Sequence, residues 1–206
     1  MLNGKPNKKQ ISASLNWFDL RSFLFPLSGW HEGAPPITIG LSPQADEAAV
    51  STFNAILDDY PGGGTPLCHH VNEVTKQIAA LAPSLKAACK KAVLVIFTDG
   101  EASDGDIVQA LKPLNDLPVW VVIRLCTEET GVVNYWSGID GQLELKMDVL
   151  DDPIGESKEI MKHNNWLTYG TPMHRLREFG IVAREFDLLD ETALSAEQMH
   201  KFCALL

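Results

Sequence analysis

The sequence predicts an α/β fold: a doubly wound, mostly parallel sheet with helices on both faces. Three observations predict it. Val93–Phe97 and Val119–Leu125 are almost wholly apolar and rich in β-branched residues, the pattern of strands buried on both faces. Around them, apolar residues recur at the three- and four-residue spacing of amphipathic helices. Strand and helix patterns also alternate, which requires crossover helices to cover a parallel sheet.

In chain order, Met1–Ser14 is polar, basic and turn-rich and reads as a mobile N-terminal loop. Trp17, Leu20, Phe23, Leu24 and Leu27 predict a helix over Leu15–Leu27. Gly29–Pro36 reads as a loop, and Ile37–Leu41 as a short strand begun by two prolines. A helix follows over Ala45–Leu57. Three glycines, Gly62–Gly64, then permit a backbone path closed to other residues. Thr65-Pro66 has the form of a helix cap and first residue. That helix runs to Leu81, with Pro83 stopping it or opening a further turn over Leu85–Lys91.

The central strand Ala92–Thr98 gives way to Asp99-Gly100 and an acidic loop. A helix from Asp106 to Leu111 leads into the strand Val119–Leu125. Val132–Tyr135 and Leu143–Met147 are weaker strand candidates, and Ile154–His163 is helical. Thr171-Pro172 starts a capped helix through Phe179, and Ile181–Phe186 is a last strand candidate. Ser195–Leu205 is a closing helix with Ser195 and Gln198 in a capping box.

The whole of 1–206 is read as a single domain, its 130–206 part divergent and a candidate for an extra lobe carrying Trp136, Trp166 and Tyr169. The formal charge of −10 argues against nucleic acid or an anionic membrane as partner and suits a cation or a basic protein surface. The four cysteines form no C-x-x-C pair, which favours a reducing, cytoplasmic setting.

Two loops can serve one site, because ligands of open α/β sheets bind beyond the carboxyl ends of the strands. They are Gly62–Thr65 and Asp99–Asp106. A hydroxyl and a carboxylate there are hard oxygen donors suited to Mg²⁺ or Mn²⁺. Gly63-Gly64-Thr65-Pro66-Leu67, followed about 30 residues later by an apolar run ending Thr98-Asp99-Gly100, resembles the von Willebrand factor A domain. The resemblance covers about Trp17 to Leu125.

That resemblance implies a Rossmann-like sheet with a metal-ion-dependent adhesion site in which Thr65 and Asp99 are ligands. Gly64, Gly100, Glu101 and Asp104 would lie around them. It also implies a protein partner donating a carboxylate to the ion. The family's D-x-S-x-S segment, at the end of the first strand, has no counterpart; Gln10-Ile11-Ser12-Ala13-Ser14 is only a distant approach. The central first strand is therefore expected to be missing, and Mg²⁺ binding to be weak or absent in this chain.

The function expected is a non-catalytic binding module for protein–protein contact. The alternative is a Mg²⁺-dependent phosphoryl-transfer or hydrolase domain using Asp99, Asp104 and Asp106. Cys68-His69-His70 with Glu73 has metal-like residue types, but adjacent residues on a helix point apart. Glu128 and Glu129 would add negative potential on the same sheet face.

Overall fold

A computed structural model describes residues 22–24, 37–40, 42–58, 64–143, 147–181 and 183–205. The chain divides into two units, Met1–Pro66 and Leu67–Leu206, each taken by itself.

In the first unit, β1 (Ser22–Leu24) pairs antiparallel with β2 (Ile37–Ile39), Ser22 opposite Ile39 and Leu24 opposite Ile37. The helix expected over Leu15–Leu27 is thus replaced by a strand at Ser22–Leu24, while its other residues, with Met1–Ser14 and Gly29–Pro36, lie outside the described residues. Cross-strand pairing with a β-branched partner overrides a weak helical spacing here. Gly40, at φ 96°, turns the chain and donates its N–H to Asp46 Oδ1 at 2.8 Å. The turn leads into α1 (Pro43–Asp58).

The second unit is α/β, built on a parallel sheet of order β3-β4-β5 with helices between its strands. Helix α2 (Leu67–Ala87) passes through Pro83 without stopping. It ends where Cys89 takes φ 52° and Lys90 N–H reaches back to Leu85 O at 2.8 Å, a closure of the Schellman type. Strand β3 (Ala92–Thr98) pairs in register with β4 (Val119–Leu125), Ala92 opposite Val119 and Thr98 opposite Leu125. Between them lie α3 (Ile107–Leu111) and a 3-10 turn over Lys112–Asp116. Strand β5 (Met147–Leu150) pairs with β4 on its other side.

The central place belongs to β4, which is buried at every position but Arg124. Strand β3, expected to be central and buried on both faces, is an edge of this sheet among the described residues. Val93 is 36% exposed and Phe97 55%. A continuous apolar run records hydrophobicity but not rank within a sheet.

Val132–Tyr135, a weak strand candidate, lies inside α4 (Thr130–Asp140). Trp136 of that helix is fully buried. Of the candidate Leu143–Met147, Met147 opens β5 and Leu143 is in no element, while 144–146 lie outside the described residues. Helix α5 (Pro153–His163) is capped by Asp152, whose carboxylate accepts from Ile154 N–H at 2.7 Å. Helix α6 (Thr171–Glu178) follows, with Gly170 in the cap position.

The strand expected over Ile181–Phe186 is replaced by the short helix α7 (Arg184–Asp187). Its apolar Phe186 packs in a helical cluster with Ile160, Tyr169, Leu189, Leu194 and Phe202 instead of joining the sheet. Helix α8 (Ala196–Leu205) closes the chain. Its capping box is formed as expected: Gln198 N–H donates to Ser195 Oγ at 3.3 Å and Ser195 N–H to Gln198 Oε1 at 2.8 Å.

Candidate functional site

The acidic loop after β3 is held by its own backbone. Thr98 O accepts from Cys126 N–H at 2.8 Å, which ends the ladder with β4. Gly100 O accepts from Thr98 Oγ1 at 3.1 Å and from the buried indole of Trp136, also at 3.1 Å. Asp99 therefore stands exposed on a fixed turn at the carboxyl end of a parallel strand. Glu101 beside it is also exposed.

The loop's other carboxylates are committed to helix starts. Asp104 accepts from the N–H groups of Cys68, at 3.0 Å, and His69, at 2.8 Å. It thus caps α2 from more than thirty residues away in the chain. Burial raises its pKa, but the His69 and Cys68 N–H bonds outweigh that and hold it below the usual carboxylate value. Burial, together with the Asp104 charge, pushes the Cys68 thiol up to about 11. Asp106 caps α3, accepting from Val108 N–H at 2.9 Å.

A cap at Thr65 is the local expectation for the helix at Leu67; the N–H groups of Cys68 and His69 are taken by Asp104. The reason is charge: an ionised carboxylate outbids a hydroxyl for two bare N–H groups beside a helix dipole. Thr65 is half-buried and Gly64 exposed, both in the first unit, whereas Asp99, Gly100, Glu101 and Asp104 belong to the second. Among the described residues, no group of three or more His, Cys, Asp or Glu side chains is placed to hold a metal together. His69 and His70 are in edge-to-face contact, ring centroids 5.4 Å apart at 78°, and both lie near Glu73 Oε2, at 3.6 and 3.9 Å. Glu129 occupies the cap position of α4 and makes no side-chain cap bond.

A second polar centre has no counterpart in the sequence reading. Arg177 of α6 is fully buried among three carboxylates. It donates to Asp148 at 2.7 and 3.1 Å, to Glu156 at 2.7 Å and to Asp190 at 2.8 Å. These bonds tie β5, α5 and the turn after α7 to one guanidinium. One cation cannot neutralise three anions, and burial pushes Glu156 up to about 8 despite the Arg177 charge.

Beside this cluster is a cavity of about 160 Å³ lined by Asp140, Asp148, Asp187, Asp190 and Glu191. Desolvation and the surrounding negative charge push Asp140 up to about 6 and Asp187 up to about 7. Next to Arg177 at the end of α6, Glu178 accepts from Arg124 Nε at 2.7 Å and lies 3.3 Å from His174 Nε2, whose Nδ1 is 3.1 Å from Tyr169 Oη.

The signal that could have found this centre is Asp148, an acid inside the short apolar strand Met147–Leu150. Such a residue requires a buried cation. Of the aromatic residues singled out in the sequence, Tyr169 is buried, and Trp166 is 43% exposed with its ring edge on Phe202 of α8.

Comparisons with protein-family models, with curated proteins and with solved structures find no match to this chain. Among the described residues, no helix is long and apolar enough to cross a membrane.

Proposed function

We propose that this chain is a non-catalytic protein-binding module of the von Willebrand A type, with a doubly wound arrangement and an incomplete Mg²⁺ or Mn²⁺ site. The observation that carries the reading is Asp99: an exposed carboxylate on a pinned turn at the carboxyl end of a parallel strand. The sequence context that makes it resemble an adhesion-type ligand adds Thr65 as a second oxygen donor. Hard cations take six or more oxygen ligands, so these two donors hold one only weakly. A partner carboxylate then supplies both a ligand and the binding specificity.

The hydrolase alternative draws on Asp99, Asp104 and Asp106 together. Two of those three carboxylates accept backbone N–H bonds at helix starts, an arrangement that favours the binding reading. Turnover of a generic phosphate ester with Mg²⁺, compared between the native chain and Asp99→Ala, tests it. The binding module gives no turnover above background in either; Asp99-dependent turnover would replace it with the enzyme.

A further inference from the structure

Strand β3 carries information about what pairs with it. Ala92 N–H donates to Pro118 O and Thr98 O accepts from Cys126 N–H, so these positions direct their backbone groups toward β4. Alternate residues of a strand address opposite edges. Val93, Val95 and Phe97 therefore present their N–H and C=O groups on the edge away from β4, where no described strand pairs with them.

Within its own residues the strand carries none of the side-chain devices by which sheets discourage pairing. The seven residues Ala92–Thr98 include no proline, no charge and no glycine. On one sheet face, Val95 packs against Trp120, Val122 and Leu150, while its neighbours Val93 and Phe97 stay exposed. Gly180, at φ 76°, lies against Val93, and the adjoining Phe179 is 72% exposed, which extends the apolar surface alongside the strand.

We propose that a second copy of this chain occupies this edge, β3 pairing antiparallel with β3 about a dyad at Val95. Charge selects both the orientation and the partner. Lys90 and Lys91 flank one end of the strand, and Asp99 and Glu101 the other. Antiparallel pairing sets the basic end of each copy against the acidic end of its mate. Parallel self-pairing would stack like charges.

The same register puts Val93 opposite Phe97 twice, so the two most exposed apolar residues of the strand cover each other. It also makes the outward-facing positions the hydrogen-bonded pairs, as an antiparallel ladder demands. The contact is isologous and consumes the edge, so it closes at a dimer. A seam of seven residues is about 23 Å long. It is smaller than a standard interface of about 1,600 Å², the size class of weak, transient contacts.

Sedimentation velocity across a concentration series of the whole chain, joined to amide exchange by NMR, tests this. The expected result is a monomer–dimer equilibrium in which rising concentration protects the Val93, Val95 and Phe97 amides, while those of Leu94 and Ile96 do not change. Phe97→Lys changes a residue already exposed, so the fold is kept, and it should weaken association by about tenfold or more. A monomer at all concentrations, an open-ended series of oligomers, protection centred on other residues, or a Phe97→Lys dimer of native strength would each overturn the proposal. None of these readouts depends on a metal.

Discussion

Replacing Arg177 by methionine should be the most damaging single change outside the apolar core. The guanidinium is fully buried and bonds to Asp148, Glu156 and Asp190 at 2.7 to 3.1 Å. Methionine fills much of the volume, so the loss is electrostatic: three carboxylates remain with no buried cation. Removing one partner of a buried ion cluster costs about 3–5 kcal/mol. For a chain of this size that corresponds to a fall in Tm of roughly 6–20 °C at about neutral pH.

The pH dependence identifies the cause. Without Arg177 the folded-state pKa values of Asp148 and Glu156, already raised by burial, rise further above those of the unfolded chain. The damage is then least below about pH 4, where the carboxylates are protonated in both states, and grows as pH rises. Thermal melts followed by circular dichroism across that range give both numbers. A Tm loss below about 2 °C, or one independent of pH, would refute the argument that the cluster is held by charge.

Asp104→Ala should cost about 1–2 kcal/mol by baring the Cys68 and His69 N–H groups, whereas Thr65→Ala should cost less; chemical denaturation of the two variants checks the ranking. Asp140 and Asp187 have pKa values raised to about 6 and about 7, so their stabilising contribution is present below about pH 4 and is lost as pH rises through those values. The double change Asp140→Asn with Asp187→Asn should flatten the fall in Tm between about pH 4 and 7. Glu178 has the opposite sign: burial alone would raise it, but Arg124 and Arg175 hold it low, and its contribution is lost on acidification. Gly180→Ala should destabilise by about 1 kcal/mol or more, because φ is 76° and a β-carbon there would strike Val93. Mg²⁺ at about 1 mM should move Tm by less than about 1 °C, as expected for a site short of ligands.

The strands Ala92–Thr98 and Val119–Leu125 and most helices of the second unit were legible because long apolar runs and helical periodicity are local signals; α4 was not, its Val132–Tyr135 stretch having read as a strand. Rank within the sheet was not: the apolar content of β3 and β4 is alike, and only pairing distinguishes the edge from the centre. Ser22–Leu24 and Arg184–Asp187 were misread because three or four residues carry too little periodicity to outweigh their partners. The cap of α2 was given to its sequence neighbour Thr65 because Asp104 arrives through the fold. Arg177 was invisible for the same reason, its carboxylates lying 13 to 29 residues distant. The position of Asp99 at the end of a strand was legible because its signal, an apolar run ending in Asp-Gly, is entirely local.

The most direct test of the proposed function is paramagnetic broadening of amide resonances by Mn²⁺. If Asp99 is the ion-facing carboxylate of an incomplete site, the signals of Asp99, Gly100 and Thr65 broaden first, at Mn²⁺ concentrations of about 1 mM or above, and Asp99→Ala removes the effect. Broadening centred on Asp140, Asp187 and Glu191, or unchanged in Asp99→Ala, would contradict the account.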